Sequence, residues 1–89
     1  MNERVLAFWF MDDGSKSKKG GYVLNTQSFN LKDNKLLVKA LNKLGLKVNI
    51  HKDKNKFRLY ILKESVLKFN DLVYPYILDC FKYKLYTNK

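Results

Sequence analysis

The chain has 89 residues, a length that suits a single small domain, 1–89. Lys plus Arg is 18 and Asp plus Glu is 8, so the formal net charge is +10, which points to a polyanionic partner, nucleic acid being the usual one. At 46 % hydrophobic residues the composition excludes a disordered basic tail, and it offers neither a membrane-length apolar run nor a basic-then-apolar leader, so no membrane partner is expected.

The single cysteine, Cys80, has no internal partner and reads as a buried, inert thiol in a reducing, intracellular compartment. Arginine occurs only at Arg4 and Arg58, and Asn, Tyr, Phe, Leu and Ile are frequent. These residues have A/T-rich codons, which points to an A/T-rich genome such as an organellar one.

Glu3–Asp13 reads as a helix that is apolar almost all the way round: Val5, Leu6, Phe8, Trp9, Phe10 and Met11. A helix of that kind is covered on more than one side, and a chain this small covers one side with ease. The other side then wants a second copy or a second domain. Gly14 suits the helix C-terminus. Ser15-Lys16-Ser17-Lys18-Lys19, the turn signal Gly20-Gly21 and the β-rich run Tyr22–Phe29 make a hairpin. Asn30 or Asp33 caps a second helix over Leu31–Leu44, with Leu36, Leu37, Ala40, Leu41 and Leu44 at helical spacing and Gly45 as its stop. Lys47–His51 and Phe57–Leu62 are strands around the turn Asp53-Lys54-Asn55. A third helix spans Glu64–Val73, Pro75 interrupts it, and a last helical stretch spans Tyr76–Phe81. The fold class is therefore α+β, in the order αββαββα. Two hairpins form one four-stranded antiparallel sheet, with helices on one face and a lysine-rich nucleic-acid platform on the other.

Two carboxylates, Asp12 and Asp13, stand at the C-terminal end of the first helix. That end carries partial negative charge, so a carboxylate there costs roughly 0.3–1 kcal/mol. For Asp12 an exposed loop carboxylate is the simplest account. For Asp13 a divalent cation at the helix end would reverse the local sign. Hard cations such as Mg²⁺ need few protein oxygens and take the rest from water and phosphate.

The stretch Leu6-Ala7-Phe8-Trp9-Phe10-Met11-Asp12-Asp13-Gly14 resembles the signature helix of the LAGLIDADG homing endonucleases, in the W-F-M-D-D-G form of the second half of single-chain, intron-encoded members. Val23–Phe29 and the ending Tyr74-Pro75-Tyr76-Ile77 with Lys82-Tyr83-Lys84-Leu85 are similar to the same subfamily, so the resemblance runs through nearly the whole chain. It implies Asp13 as the Mg²⁺ (or Mn²⁺) ligand, Gln27 as the residue that orients the attacking water, and Lys84 as the cation that stabilises charge on the phosphate, with Lys82 as runner-up. It also implies that two such helices pack side by side, through Leu6, Ala7 and Phe10, with a second copy or an N-terminal LAGLIDADG half. Phe8 stands where the family often has glycine.

The sheet's own alternation selects Arg58 and Tyr60, opposite in sense to Phe57, Leu59 and Ile61, and Lys47, Asn49 and His51, opposite to Val48 and Ile50, as DNA contacts. His51, alone and flanked by lysines, reads as a DNA-contacting or surface residue. Asn25 shares a side with Gln27. Lys16, Lys18 and Lys19 join the set by charge, although alternation does not decide which way Lys16 and Lys18 point.

The resulting expectation is a site-specific, metal-dependent double-strand DNA endonuclease half, with a near-palindromic target if it pairs with itself. Three other readings stand beside it. These are a group I intron RNA maturase, a non-catalytic fragment that binds DNA or dimerises, and a small ribosomal-type RNA binder that would have no use for the D-D-G helix end.

Overall fold

The computed structural model describes residues 2–26, 29–54 and 56–86. Helix α1 spans Glu3–Asp13 and is followed by strands β1 (Gly14–Lys16) and β2 (Tyr22–Asn25), helix α2 (Leu31–Lys43), strands β3 (Val48–Asp53) and β4 (Lys56–Ile61), and helix α3 (Val66–Val73). Short 3-10 segments occupy Lys63–Ser65, Tyr74–Tyr76 and Asp79–Lys84. The expected αββαββα order is observed, as is the four-stranded antiparallel sheet, whose strand order is β1-β2-β4-β3.

Local chemistry accounts for the boundaries. The Asn2 side chain accepts from the Val5 N–H (2.9 Å) and the Asn30 side chain from the Asp33 N–H (2.8 Å), each satisfying a helix-end donor. Gly14 ends α1 for want of space rather than by a left-handed turn. Its backbone is extended (φ −90°, ψ 157°), and a Cβ there would collide with the Phe10 ring and carbonyl. The chain thus passes from the helix straight into edge strand β1. The expected strand Tyr22–Phe29 stops at Asn25, where the buried Thr26 donates its hydroxyl to the Phe57 carbonyl (3.1 Å). The expected helix Tyr76–Phe81 is instead the 3-10 segment Asp79–Lys84, set apart from α3 by the Pro75 turn. Cys80, expected to be buried, is exposed on this segment, whose anchors in the core are the flanking Ile77 and Leu85.

The sheet and helices share one core. Leu6, Phe10, Tyr22, Leu24, Leu41, Leu59, Ile61, Phe69 and Val73 are all fully buried. Phe10, Tyr22 and Phe69 meet at its centre, with ring centroids 4.8–5.0 Å apart. Met11, where a polar residue would have been possible, is also buried, and its sulfur accepts from the Leu78 N–H (3.5 Å).

One expectation is corrected here. Leu6, Ala7 and Phe10 are 0 % exposed within the chain itself, so they are core residues rather than a surface for a partner. The outward side of α1 carries Val5 (50 % exposed), Phe8 (46 %) and Asp12 instead. At 100° per residue, Val5, Phe8 and Asp12 lie together, opposite the Leu6–Ala7–Phe10 stripe.

Candidate active site and nucleic-acid interface

The strand register assigns each sheet residue to a face. Tyr22, Leu24, Leu59 and Ile61 point into the core, so Val23, Asn25, Arg58 and Tyr60 point to the open face, and Asn49 and His51 join them through the pairs Asn49↔Tyr60 and His51↔Arg58. Asn25, Arg58 and His51 stand in one row across β2, β4 and β3, and all three are exposed. The His51 ring stacks on Tyr60 at 5.3 Å with 22° between planes, and Tyr60, expected as an exposed contact, is only 9 % exposed. These are side chains with the fork and ring geometries that read base edges. Ser17, Lys19, Lys52, Arg58, His51 and Tyr60 line a shallow open hollow on this surface.

Lys16 departs from expectation. It pairs with Tyr22 in the register, so it points to the helical side of the sheet, and its ammonium lies 5.3 Å from the centre of the Tyr86 ring. Ser15 takes the open-face position in β1. The alternation in this strand had no apolar side to orient it, so only the pairing with β2 reveals the direction. Lys18 and Lys19 are exposed in the hairpin turn, where the Lys19 N–H donates to the Ser17 hydroxyl (3.1 Å). Lys47 forms an exposed ion pair with Glu64 (3.1 Å), so its charge is locally answered by the protein. Ser17 and Lys52 were not singled out in the sequence, because neither lies on the open side of a clean alternating run.

The second part of the site is the C-terminal end of α1. Asp12 and Asp13 are exposed there, and neither forms an ion pair among the described residues. The Lys84 ammonium donates to the Met11 carbonyl in the last helical turn (2.6 Å) and lies 5.5 Å from the Phe81 ring centre. A cation at a helix C-terminus is electrostatically favourable, and it offsets the two carboxylates. Lys82 is committed elsewhere. It pairs with Asp79 at 2.9 Å and lies 4.5 Å from the centre of the Tyr74 ring. Its hydrogen bond lowers the Asp79 carboxyl and raises the Lys82 ammonium from their ordinary values, so both stay charged. Gln27 lies outside the described residues.

Among the described residues no group of three or more His, Cys, Asp or Glu side chains gathers to enclose a metal. The donors present at the end of α1 are the Asp12 and Asp13 carboxylates and the helix-end carbonyls. That set fits a hard, water-rich cation that completes its shell with phosphate oxygens, and does not fit a closed structural site.

A family model described as the LAGLIDADG DNA endonuclease family matches residues 1–69. The chain belongs to that family. It is 41 % identical over 95 residues to the probable intron-encoded endonuclease 1 of Wickerhamomyces canadensis, covering 99 % of this chain and 41 % of that protein. It is 40 % identical over 85 residues to the cytochrome b mRNA maturase bI2 of Saccharomyces cerevisiae, covering 91 % of this chain and 20 % of that protein. A solved structure of the homing endonuclease I-WcaI bound to its DNA recognition sequence matches with a TM-score of 0.91 and 41 % identity, over 100 % of this chain and 42 % of that one. The chain thus spans less than half the length of these LAGLIDADG relatives.

Proposed function

We propose that this chain is one half of a site-specific, divalent-metal-dependent double-strand DNA endonuclease, a homing endonuclease. It acts as a single domain, 1–89, paired with a second copy or with an N-terminal LAGLIDADG half. The observation that carries this reading is the end of α1, where the exposed Asp13 carboxylate and the Lys84 ammonium are gathered at one helix terminus. The organellar setting rests on the intron-encoded relatives.

The chain's own residues divide the work in two. Arg58, Asn25, His51, Tyr60 and Asn49 lie on the open face and read base edges in the major groove, while Lys18 and Lys19 approach the phosphates. Asp13 would hold a Mg²⁺ or Mn²⁺ ion, together with the corresponding carboxylate of a paired half. When bound, that ion supplies Lewis-acid stabilisation of the phosphate and an activated water. Gln27 orients the water, and Lys84 leaves the Met11 carbonyl to neutralise charge that develops on the phosphate oxygens. The outward side of α1, Val5 and Phe8, is where a second motif helix would pack.

Cleavage of a duplex library by the chain with Mg²⁺, alone and fused to a LAGLIDADG half, tests the reading. Asp13→Asn is expected to lower the cutting rate by roughly three powers of ten, because metal stabilisation of charge is worth several kcal/mol, and to leave duplex affinity nearly unchanged. Undiminished cutting by Asp13→Asn would overturn it. The maturase relative favours one second reading, intron RNA as the ligand. Tighter binding of a group I intron than of any duplex at equal salt would replace DNA with RNA.

A further inference from the structure

Three polar groups meet inside the core. The Tyr22 hydroxyl, fully buried in β2, donates to Asn70 Oδ1 in α3 (2.6 Å) and accepts from the Tyr86 N–H (2.8 Å). Asn70 Nδ2 donates to the Tyr86 carbonyl (3.0 Å). Both backbone polar groups of Tyr86 are therefore held by buried side chains from two different elements. The Tyr86 ring packs on Tyr22 (centroids 5.2 Å apart), and its hydroxyl donates to the Ser17 carbonyl.

Such a network is not the cheapest way to fill this space. A buried polar group must recover its lost hydration, and two apolar groups of the same shape would often do as well or better for stability. What the network supplies is a fixed location. Burial also pushes the Tyr22 hydroxyl above its ordinary pKa, so it stays protonated and able to donate. Two residues upstream of the held backbone, Lys84 places its ammonium on the Met11 carbonyl, and between them the buried Leu85 anchors the chain in an extended conformation. We infer that Tyr22 and Asn70 are positioning residues for Lys84, setting its ammonium at the end of α1 by holding the backbone of Tyr86. The functional meaning of this placement rests on the role given to Lys84 above.

Amine acylation of the intact chain, read residue by residue by mass spectrometry, tests the placement. Lys82 is the internal reference, because its partners Asp79 and Tyr74 are local to the same tail and do not involve Tyr22. In Tyr22→Phe, which keeps the ring against Phe10 and Phe69, the Lys84-to-Lys82 acylation ratio is expected to rise about tenfold, the effect of losing one or two buried hydrogen bonds. Asn70→Leu is expected to do the same, and serves if Tyr22→Phe fails to fold by circular dichroism. General loosening would raise both lysines together. An unchanged ratio in a folded variant overturns the inference.

In the form that cuts DNA, Tyr22→Phe is expected to lower kcat about tenfold with KM unmoved and to add nothing in a Lys84→Ala background. Additive losses overturn the inference too. If Lys84→Ala cuts normally, the catalytic reading of Lys84 fails, and the acylation ratio still decides whether Tyr22 and Asn70 place it.

Discussion

The two hairpins of the sheet are built on opposite terms. The β3–β4 hairpin pairs over six residues, and its sequence alternates apolar and polar or aromatic side chains, so its own side chains decide which face is which. The β1–β2 hairpin pairs over only three, and its β1 strand has no apolar side of its own. Neighbours decide there. Phe10 crowds Gly14, Ile61 and Tyr60 crowd Gly21, and Tyr86 receives Lys16. The long hairpin is an open-faced surface stabilised by burial beneath it. The short one is a junction whose charges are directed by the rest of the chain.

The largest expected effect breaks the long hairpin from below. Leu59→Ala removes a fully buried side chain from central strand β4 and should cost about 2–5 kcal/mol, read as a lower urea midpoint. Next, duplex binding separates the two hairpins. Arg58→Ala should weaken binding of the cognate duplex by about 1–3 kcal/mol and relax preference at one base pair. Lys16→Ala should leave the salt dependence of binding unchanged, because its ammonium lies over Tyr86 on the helical side.

The third prediction concerns pH. Burial raises the pKa of Tyr22, so the folded state holds its proton where the unfolded state releases it. That contribution is complete below about pH 10, the ordinary tyrosine value, and is lost as pH rises from there through the raised folded value. Urea midpoints should fall across that alkaline window, and Tyr22→Phe should lose this part of the fall. The smallest effect sits at the tip of the long hairpin. Lys54 has a left-handed backbone (φ 58°), and Lys54→Gly should change stability by less than about 1 kcal/mol, in the stabilising direction, as relief of that strain competes with glycine's extra unfolded entropy. Thermal melting of the paired variants would measure it.

The element order and the open-face set of β3 and β4 were legible because one apolar face fixes a period of two, and helix α1 was legible from its composition and the glycine at its end. The direction of Lys16 was not, since the three-residue strand β1 takes its orientation from its pairing with β2. Leu6, Ala7 and Phe10 were misplaced for a related reason. An all-apolar helix shows that it is surrounded, and not which side its own chain surrounds. Asn70 lies on the buried side of α3 with Val66, Phe69 and Val73. Its role depends on Tyr22 and Tyr86, residues 48 and 16 positions away, which no local pattern connects.

The hydrogen bond from Lys84 to Met11 joins residues 73 apart, linking the first helix to the last described segment. Closing so long a loop adds only modestly to the entropy already lost, but it fixes an order of events. A ribosome releases the carboxylate end of α1 long before it releases Lys84, and Tyr86, which holds that lysine's backbone, follows later still. A nascent or prematurely terminated chain therefore carries the carboxylates of α1 while lacking the cation that lies beside them. If Lys84 acts on the phosphate as proposed, the chain's own topology withholds that cation from the end of α1 until the described fold has been synthesised.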